Sequence, residues 1–201
     1  MKKLNLHETE EKLFSGNIKI FTPQDLMVIF GVNKRAVEGF LNYNLKKGVF
    51  VHLKKGLYAL KRNLPSEFAL ANRIYSPSYV SLDSALSFYG LIPETVYAVT
   101  SITTKPTREF EVLNRLFEYR KIKKEAYTGY IPKTVSGEVV LMAVPEKAVA
   151  DFLYFVYLGK RVFNERLRLK KVNSLQLRKY LGLFGQKKLI PLANRFLKQY
   201  G

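Results

Sequence analysis

The chain has 201 residues, of which 47% are hydrophobic and 25% are charged, so it is long enough for one medium domain or two small ones with a real core. It has no cysteine, which excludes disulfides, thiol nucleophiles and thiolate zinc sites, and its 2 histidines give little basis for a histidine metal site. The basic start is followed at once by acidic residues, unlike a signal peptide, and the longest apolar stretch, residues 139–158, is interrupted by charges and a proline. We therefore expect a cytoplasmic protein.

The net charge of +18 is concentrated at the two ends of the chain. Residues 1–62 carry 12 basic and 5 acidic side chains, residues 63–159 carry 10 of each, and residues 160–201 carry 12 basic and 1 acidic. Such blocks favour faces that bind a polyanion, for which nucleic acid is the leading candidate. No segment has the lipid-facing aromatics of a membrane-surface helix, so we expect no membrane partner.

Two helices are predicted at the start of the chain. Residues 4–14 place apolar side chains around a charged centre, as in a short amphipathic helix. Thr22 is a good N-cap, Pro23 suits the first helical position and Asp25 favours the first turn, so a second helix begins there and ends at Gly31. Because residues 26–30 are all apolar, we expect this helix to be covered on several sides.

A third helix and a β-hairpin follow. Asn33 is the predicted cap of the helix, whose inner face is apolar at Ala36, Val37, Phe40, Leu41 and Leu45. Its opposite face is polar and carries Lys34, Arg35, Glu38, Asn42 and Lys46. Residues 49–53 and 57–60 are predicted strands, joined by a tight turn that contains Lys54, Lys55 and Gly56.

The order helix, turn, helix, hairpin is typical of a winged helix-turn-helix. Packing accounts for the inner face, but it does not require both the outer face and the hairpin tip to be basic. A helix in the major groove needs basic and amide side chains near its N-terminal end, where they bind base edges and phosphates. We therefore expect bases to be contacted by Lys34, Arg35 and Asn42. We expect phosphates to be contacted by Lys46, Lys54 and Lys55. The whole predicted DNA-binding set is Asn33, Lys34, Arg35, Glu38, Asn42, Lys46, Lys54 and Lys55. An ordinary solvated face would use the same residue types, so that alternative stays open.

Residues 63–66 break this pattern and predict domains at 1–64 and 65–201. In the second domain we predict one helix capped by Ser66, a second capped by Ser81 and a third that begins at Pro145. The predicted strands are residues 96–104, 109–112, 117–122, 125–131 and 138–144. The fold class is α+β, with an N-terminal winged helix-turn-helix domain followed by a mixed α/β domain with a small sheet and a helical basic C-terminal region.

The basic region after residue 159 is predicted to be helical. One helix is capped by Asn173 or Ser174, and the last is bent or broken at Pro191. We expect these helices to carry cations with little acid to balance them, namely Lys160, Arg161, Arg166, Arg168, Lys170, Lys171, Arg178, Lys179, Lys187 and Lys188. This density suggests a second face that contacts phosphate.

A loop in the second domain is another candidate for phosphate or an acidic partner surface. Thr103, Thr104, Lys105 and Arg108 surround Pro106 after a predicted strand, where hydroxyls and cations suit an anion. Turn formation is the competing explanation. Among the tail cations, the partner or phosphate candidates are Arg166, Arg168, Lys170, Lys171, Arg178 and Lys179.

We expect no enzyme, no cofactor and no metal. The sequence has no glycine-rich phosphate loop, and neither histidine lies beside a nucleophile in a recognisable motif. Glu109 and Glu111 alternate on one strand face and are placed to share a metal, but an exposed acidic edge is the commoner meaning of this pattern.

Three stretches of the second domain resemble a known family: residues 76–94 (SPSYVSLDSALSFYGLIPE), 99–110 (VTSITTKPTREF) and 144–155 (VPEKAVADFLYF). They are similar, in order and spacing, to stretches of the AbiEi-like antitoxins of type IV toxin-antitoxin systems, which also carry an N-terminal winged helix. The resemblance covers about residues 21–157. The strongly basic tail after Gly159 and the short chain depart from the family.

The resemblance implies a bifunctional bacterial protein. Its N-terminal domain would repress its own operon by binding an inverted repeat in double-stranded DNA, as a monomer or weak dimer that binds cooperatively. Its C-terminal domain would counteract a toxin with a nucleotidyltransferase fold, or contact that toxin's RNA target. The alternative is a winged-helix regulator without a toxin partner, whose second domain senses a ligand or only dimerises.

Overall fold

A computed structural model describes residues 3–200, which divide into two compact units, the first ending at Ser66 and the second starting at Glu67. Both units contain helices and one β-sheet, so the protein is mixed α+β. Within the described residues, no helix is both long and apolar enough to cross a membrane.

The described part of the first unit has three helices and a three-stranded sheet. The helices are α1 (Leu6–Ser15), α2 (Pro23–Phe30) and α3 (Lys34–Lys46), and the strands are β1 (Ile20–Phe21), β2 (Phe50–Lys54) and β3 (Leu57–Leu60). β3 lies in the middle and pairs antiparallel with both β1 and β2. The sequence does not predict β1, because two residues are too few to show an alternating pattern.

Local hydrogen bonds fix the ends of α2 and α3. The Thr22 hydroxyl accepts the Asp25 N–H at 3.1 Å and the Asp25 carboxylate accepts the Thr22 N–H at 2.7 Å, a capping box that begins α2. Gly31 ends this helix with φ at +62°, which glycine adopts without strain. Asn33 Oδ1 accepts the Ala36 N–H at 3.0 Å and begins α3. The predicted start and end of α2 and the predicted start of α3 are confirmed.

The core of the first unit lies where the inner sides of its helices meet the sheet. Its buried side chains are Leu13, Phe21, Leu26, Phe30, Val32, Val37, Leu41, Phe50 and Leu60. The prediction that α2 is covered on several sides holds in part: Leu26 and Phe30 are buried and Met27 and Ile29 pack half-buried against the core, but Val28 is 73% exposed. A unit of this size has too little chain to pack a second layer over α2.

The described part of the second unit contains a six-stranded sheet and five α-helices. The strands are β4 (Ser78–Val80), β5 (Val99–Thr103), β6 (Arg108–Val112), β7 (Arg115–Lys121), β8 (Tyr130–Val135) and β9 (Glu138–Ala143). The helices are α4 (Glu67–Ile74), α5 (Leu82–Phe88), α6 (Pro145–Tyr157), α7 (Ser174–Gly182) and α8 (Leu189–Tyr200). The strand order is β6-β7-β5-β4-β9-β8, with β4–β9 and β5–β7 parallel and the other pairs antiparallel.

Several local predictions for this unit are corrected. β4 is too short to be predicted. The strand predicted at residues 125–131 begins only at Tyr130, as β8, because a 3-10 turn at Lys124–Ala126 precedes it. Ser81 precedes α5, but its side chain makes no capping bond there. Pro191 does not break α8, because it lies in the first turn, where the N–H it lacks would have no helical partner.

The segment between α6 and α7 is irregular rather than helical. Within it, Leu167, Leu169 and Val172 are buried and the cations between them are exposed. This alternation has no helical period, so the helical prediction fails here. Of the ten tail cations named above, only Arg178 and Lys179 lie on a helix, and Lys187 and Lys188 lie in a turn before α8.

Candidate nucleic-acid interface

The outer side of α3 is exposed along its whole length. Lys34, Arg35, Glu38, Asn42 and Lys46 are all exposed. On the inner side, Val37 and Leu41 are buried in the core, and Ala36, Phe40 and Leu45 are half-buried against it. The predicted division of α3 into two faces is therefore confirmed.

The side chains at the start of α3 are weakly held. Lys34 Nζ lies 3.7 Å from Glu38 Oε1, and 76% and 54% of these side chains are exposed, so the pair adds little stability and either group can exchange its partner. Arg35 makes no side-chain hydrogen bond or ion pair with any residue between 3 and 200. Asn33 differs, because its Oδ1 already accepts the helix-capping bond from Ala36, so its amide NH2 group is the part most available to a ligand.

Three residues on or beside this face are missing from the predicted set. These residues are Gly39, Tyr43 and Lys47. They follow Arg35 at intervals of four residues, so all four lie along one side of the helix. Tyr43 is 58% exposed, and Lys47 Nζ lies 4.4 Å from the centre of its ring. A Cβ added at Gly39 would meet nothing within 4 Å, so the fold does not require glycine there. Glycine in mid-helix costs roughly 0.5–1 kcal/mol relative to alanine, and its presence on this face suits close approach of a ligand.

Gly39→Ala is expected to stabilise the first unit by about 0.5–1 kcal/mol, because it removes the entropic cost of glycine without a clash. Gly39→Gln should instead weaken duplex binding, because a long side chain would hold the helix away from the groove. Urea unfolding measures the first effect and fluorescence anisotropy with a labelled duplex the second. Gly182→Gln is the matched control, since a Cβ there also meets nothing. Unchanged affinity in Gly39→Gln would remove Gly39 from the interface.

The turn between β2 and β3 forms the hairpin tip. Lys54 is half-buried and stands opposite Leu57 in the ladder, while Lys55 is exposed in the turn. Gly56 completes the turn with φ at +78°, which favours glycine. The ladder shifts register between His52 and Lys54, a β-bulge that bends the strand. Lys55 is thus the more accessible of the two lysines predicted to face phosphates.

The predicted phosphate loop in the second unit is largely used inside the fold. Thr103 is buried, and its hydroxyl donates to Pro77 O at 2.7 Å and accepts the Lys105 N–H at 3.1 Å. The Lys105 ammonium donates to the backbone carbonyl of Ser76, which precedes β4. Thr104 is half-buried, and Arg108 is exposed at the start of β6. Thr103 is therefore corrected to a turn-forming residue, which was the competing explanation.

Some of the tail cations are paired with acids. Arg161 contacts both Asp83 and Glu118, the latter at 3.1 Å, and Arg166 lies 3.3 Å from Glu94. Arg178 Nε donates to a side-chain amide at 3.1 Å. The other predicted contacts in the tail form no side-chain ion pair within residues 3–200: Arg168, Lys170, Lys171 and Lys179.

A buried polar cluster lies at the centre of the second unit. Lys147 and Asp151 are fully buried on α6 and form an ion pair. Asp151 Oδ2 also accepts hydrogen bonds from Ser81 Oγ at 2.7 Å and Tyr79 OH at 3.0 Å. Burial raises the pKa of Tyr79, which keeps its hydroxyl protonated as a donor, and burial also raises the pKa of Asp151 despite the contact with Lys147. Because every charge here has a partner inside the fold, the cluster is a structural part of the core and leaves no charged group free for a ligand.

Comparison with protein-family models and with curated proteins finds no match to this chain. The candidate interface therefore depends on the exposed face of α3 and the hairpin tip. Glu109 and Glu111 of β6 do not form a second candidate site, because Glu109 accepts a hydrogen bond from Arg120 at 3.0 Å. In the described part of the chain, no group of three or more His, Asp or Glu side chains is placed to hold a metal ion.

Proposed function

We propose that the protein is a DNA-binding repressor whose first unit is a winged helix-turn-helix domain. Helix α2, the turn at residues 31–33 and α3 form the helix-turn-helix, and β2 and β3 form the wing. The observation that carries this proposal is the outer face of α3, which is exposed and basic while its inner face packs in the core. This arrangement suits a helix that enters the major groove of double-stranded DNA.

Each part of the surface has a separate role in this proposal. Lys34, Arg35 and Asn42 contact base edges, for which their donors and acceptors are suited. Lys46, Lys54 and Lys55 contact phosphates, which supply affinity but carry no sequence information. Glu38 is weakly paired with Lys34 in the free protein and accepts a hydrogen bond from a cytosine amino group in the complex.

Arg35→Ala tests the base-reading role. We expect it to cost about 1–3 kcal/mol on the preferred duplex and much less on a random duplex of equal length, because a base contact contributes only where the correct base is present. The two affinities are measured by fluorescence anisotropy at one salt concentration. Arg73→Ala, an exposed arginine of the second unit, is the matched control. Equal losses on both duplexes for Arg35→Ala would refute the assignment.

We further propose that the second unit makes the protein an antitoxin and autorepressor of a type IV toxin-antitoxin operon. The support is the resemblance of the three stretches to AbiEi-like antitoxins. Two of these stretches supply the buried cluster, since Tyr79 and Ser81 lie in residues 76–94 and Lys147 and Asp151 in residues 144–155. The motifs therefore have a structural explanation, and the antitoxic activity needs its own test.

The adjacent gene separates this proposal from its alternative. A neighbouring gene for a nucleotidyltransferase-like protein that stops growth when expressed alone, and is rescued by this chain, would support the antitoxin. An isolated gene would favour a regulator whose second unit senses a ligand. One observation favours this alternative, because a ligand needs a pocket. The second unit has a cleft of about 420 Å³ that is lined by Gly90, Leu91, Arg168, Lys170 and Lys171.

A further inference from the structure

The segment of residues 167–172, here called the basic strap, holds cations in fixed places. Leu167 and Leu169 are each only 2% exposed and anchor the strap in the second unit, while the cations of the strap are exposed. The Arg168 N–H donates to Leu91 O at 2.7 Å, and the Val172 N–H donates to Leu169 O at 2.9 Å. The strap is therefore irregular in shape but held by buried leucines and backbone hydrogen bonds.

The strap forms one wall of a cleft of about 420 Å³. Arg168, Lys170 and Lys171 line it together with Gly90 and Leu91, which follow α5. No acidic side chain is found among the described residues of this lining. Gly90 has φ at +65°, and a Cβ there would meet nothing within 4 Å, so this side of the cleft is open to a ligand.

The charges of this cleft are unbalanced, unlike those elsewhere in the tail. Arg161 and Arg166, a few residues before the strap, are paired with carboxylates. The three cations of the cleft have no such partner within residues 3–200, so they repel one another in the free protein. A bound anion with several charges would remove this repulsion and gain charge-assisted hydrogen bonds.

We propose that the cleft binds the oligophosphate group of a small phosphorylated ligand, such as a nucleoside triphosphate. Its volume lies in the range of small-molecule sites, and its three cations match two or more linked phosphates better than a single carboxylate. The backbone groups at Leu91 are already used, since its N–H donates to Leu86 O at 2.8 Å and its carbonyl accepts from Arg168. Recognition therefore comes from charge. The site lies wholly in the second unit and does not depend on DNA binding by the first.

Calorimetric titration of the full chain with pyrophosphate and with ATP, at low salt, tests the proposal. We expect saturable binding of both that falls at least tenfold in the Arg168→Gln/Lys170→Gln/Lys171→Gln variant. The Lys160→Gln/Lys187→Gln/Lys188→Gln variant loses the same charge from exposed residues of the same unit that do not line the cleft, and it should bind as the wild type does. Similar affinity for pyrophosphate and ATP, or tighter binding of ATP, would both support an oligophosphate site.

Absence of saturable pyrophosphate and ATP binding would overturn the proposal, as would equal losses in the two triple variants. A short DNA duplex is titrated in parallel into the Lys54→Glu/Lys55→Glu variant, with and without the three substitutions in the strap. If that duplex binds through the strap while neither small ligand does, the strap contacts an extended polyanion and the small-ligand proposal is wrong. Failure of DNA binding by the first unit would appear separately, as an unchanged duplex affinity between the wild type and Lys54→Glu/Lys55→Glu.

Discussion

Asp151→Ala is expected to lower the free energy of unfolding of the second unit by about 3–5 kcal/mol. The substitution leaves the fully buried Lys147 ammonium without its carboxylate and also removes the acceptor of the Tyr79 and Ser81 hydroxyls. A loss of this size is a large part of the stability of an ordinary domain. Urea unfolding followed by circular dichroism measures it, with Glu165→Ala, an exposed carboxylate, as the control that should change stability little.

A double variant separates the buried charge from the lost volume. Lys147→Met/Asp151→Ala removes both charges, so it should be more stable than Asp151→Ala alone, although the two hydroxyls still lack their acceptor. If the double variant is no more stable than the single one, the buried charge is not the main cost. A loss below about 1 kcal/mol in Asp151→Ala would contradict a buried ion pair altogether.

Charge reversal at the hairpin tip, Lys54→Glu/Lys55→Glu, is expected to weaken binding to every duplex by roughly 50-fold or more at 0.1 M salt. Each phosphate contact that is lost removes about 0.9 from the slope of log affinity against log salt, so the slope should fall by about 2. Specific and random duplexes should lose affinity to the same extent, because phosphates carry no sequence information. Anisotropy titrations over a series of salt concentrations give both quantities.

Lys123→Glu/Lys124→Glu is the matched control for this prediction. These adjacent lysines are also exposed and undergo the same change of charge, but they lie in the second unit, at the start of a 3-10 turn. Their charge reversal should leave the slope of log affinity against log salt nearly unchanged. Equal effects of the two reversals would mean that net charge, and not the hairpin tip, governs binding.

The sequence predicts best what short-range signals determine. Both ends of α2 and the start of α3 follow from signals that act within a few residues: the capping box of Thr22 and Asp25, the left-handed Gly31 and the Asn33 cap. The two faces of α3 are equally predictable from the spacing of apolar residues. In contrast, β1 and β4 have 2 and 3 residues, and they are strands only because distant segments pair with them.

The parts that the sequence could not predict depend on long-range packing. Lys147 and Asp151 stand four apart in an apolar helix, which hints at a pair, but the hydroxyls of Tyr79 and Ser81 come from 72 and 70 residues away in the chain. Ser81 was predicted as a cap from its neighbours alone, and the long-range bond to Asp151 takes its side chain instead. The irregular strap was predicted to be helical for the same reason. Leu167 and Leu169 are buried by packing against distant residues, which their neighbours in the sequence do not indicate.

Chemical-shift mapping tests the central claim, that the outer face of α3 and the hairpin tip bind duplex DNA. The isotope-labelled full chain is titrated with a duplex that spans the DNA upstream of its own gene, and backbone amide shifts are followed. The account predicts that the largest changes lie in residues 34–47 and 53–57, with smaller changes in the buried core of the first unit. Changes confined to residues 160–198, with α3 and the hairpin unaffected, would place the DNA on the tail and contradict the proposed function.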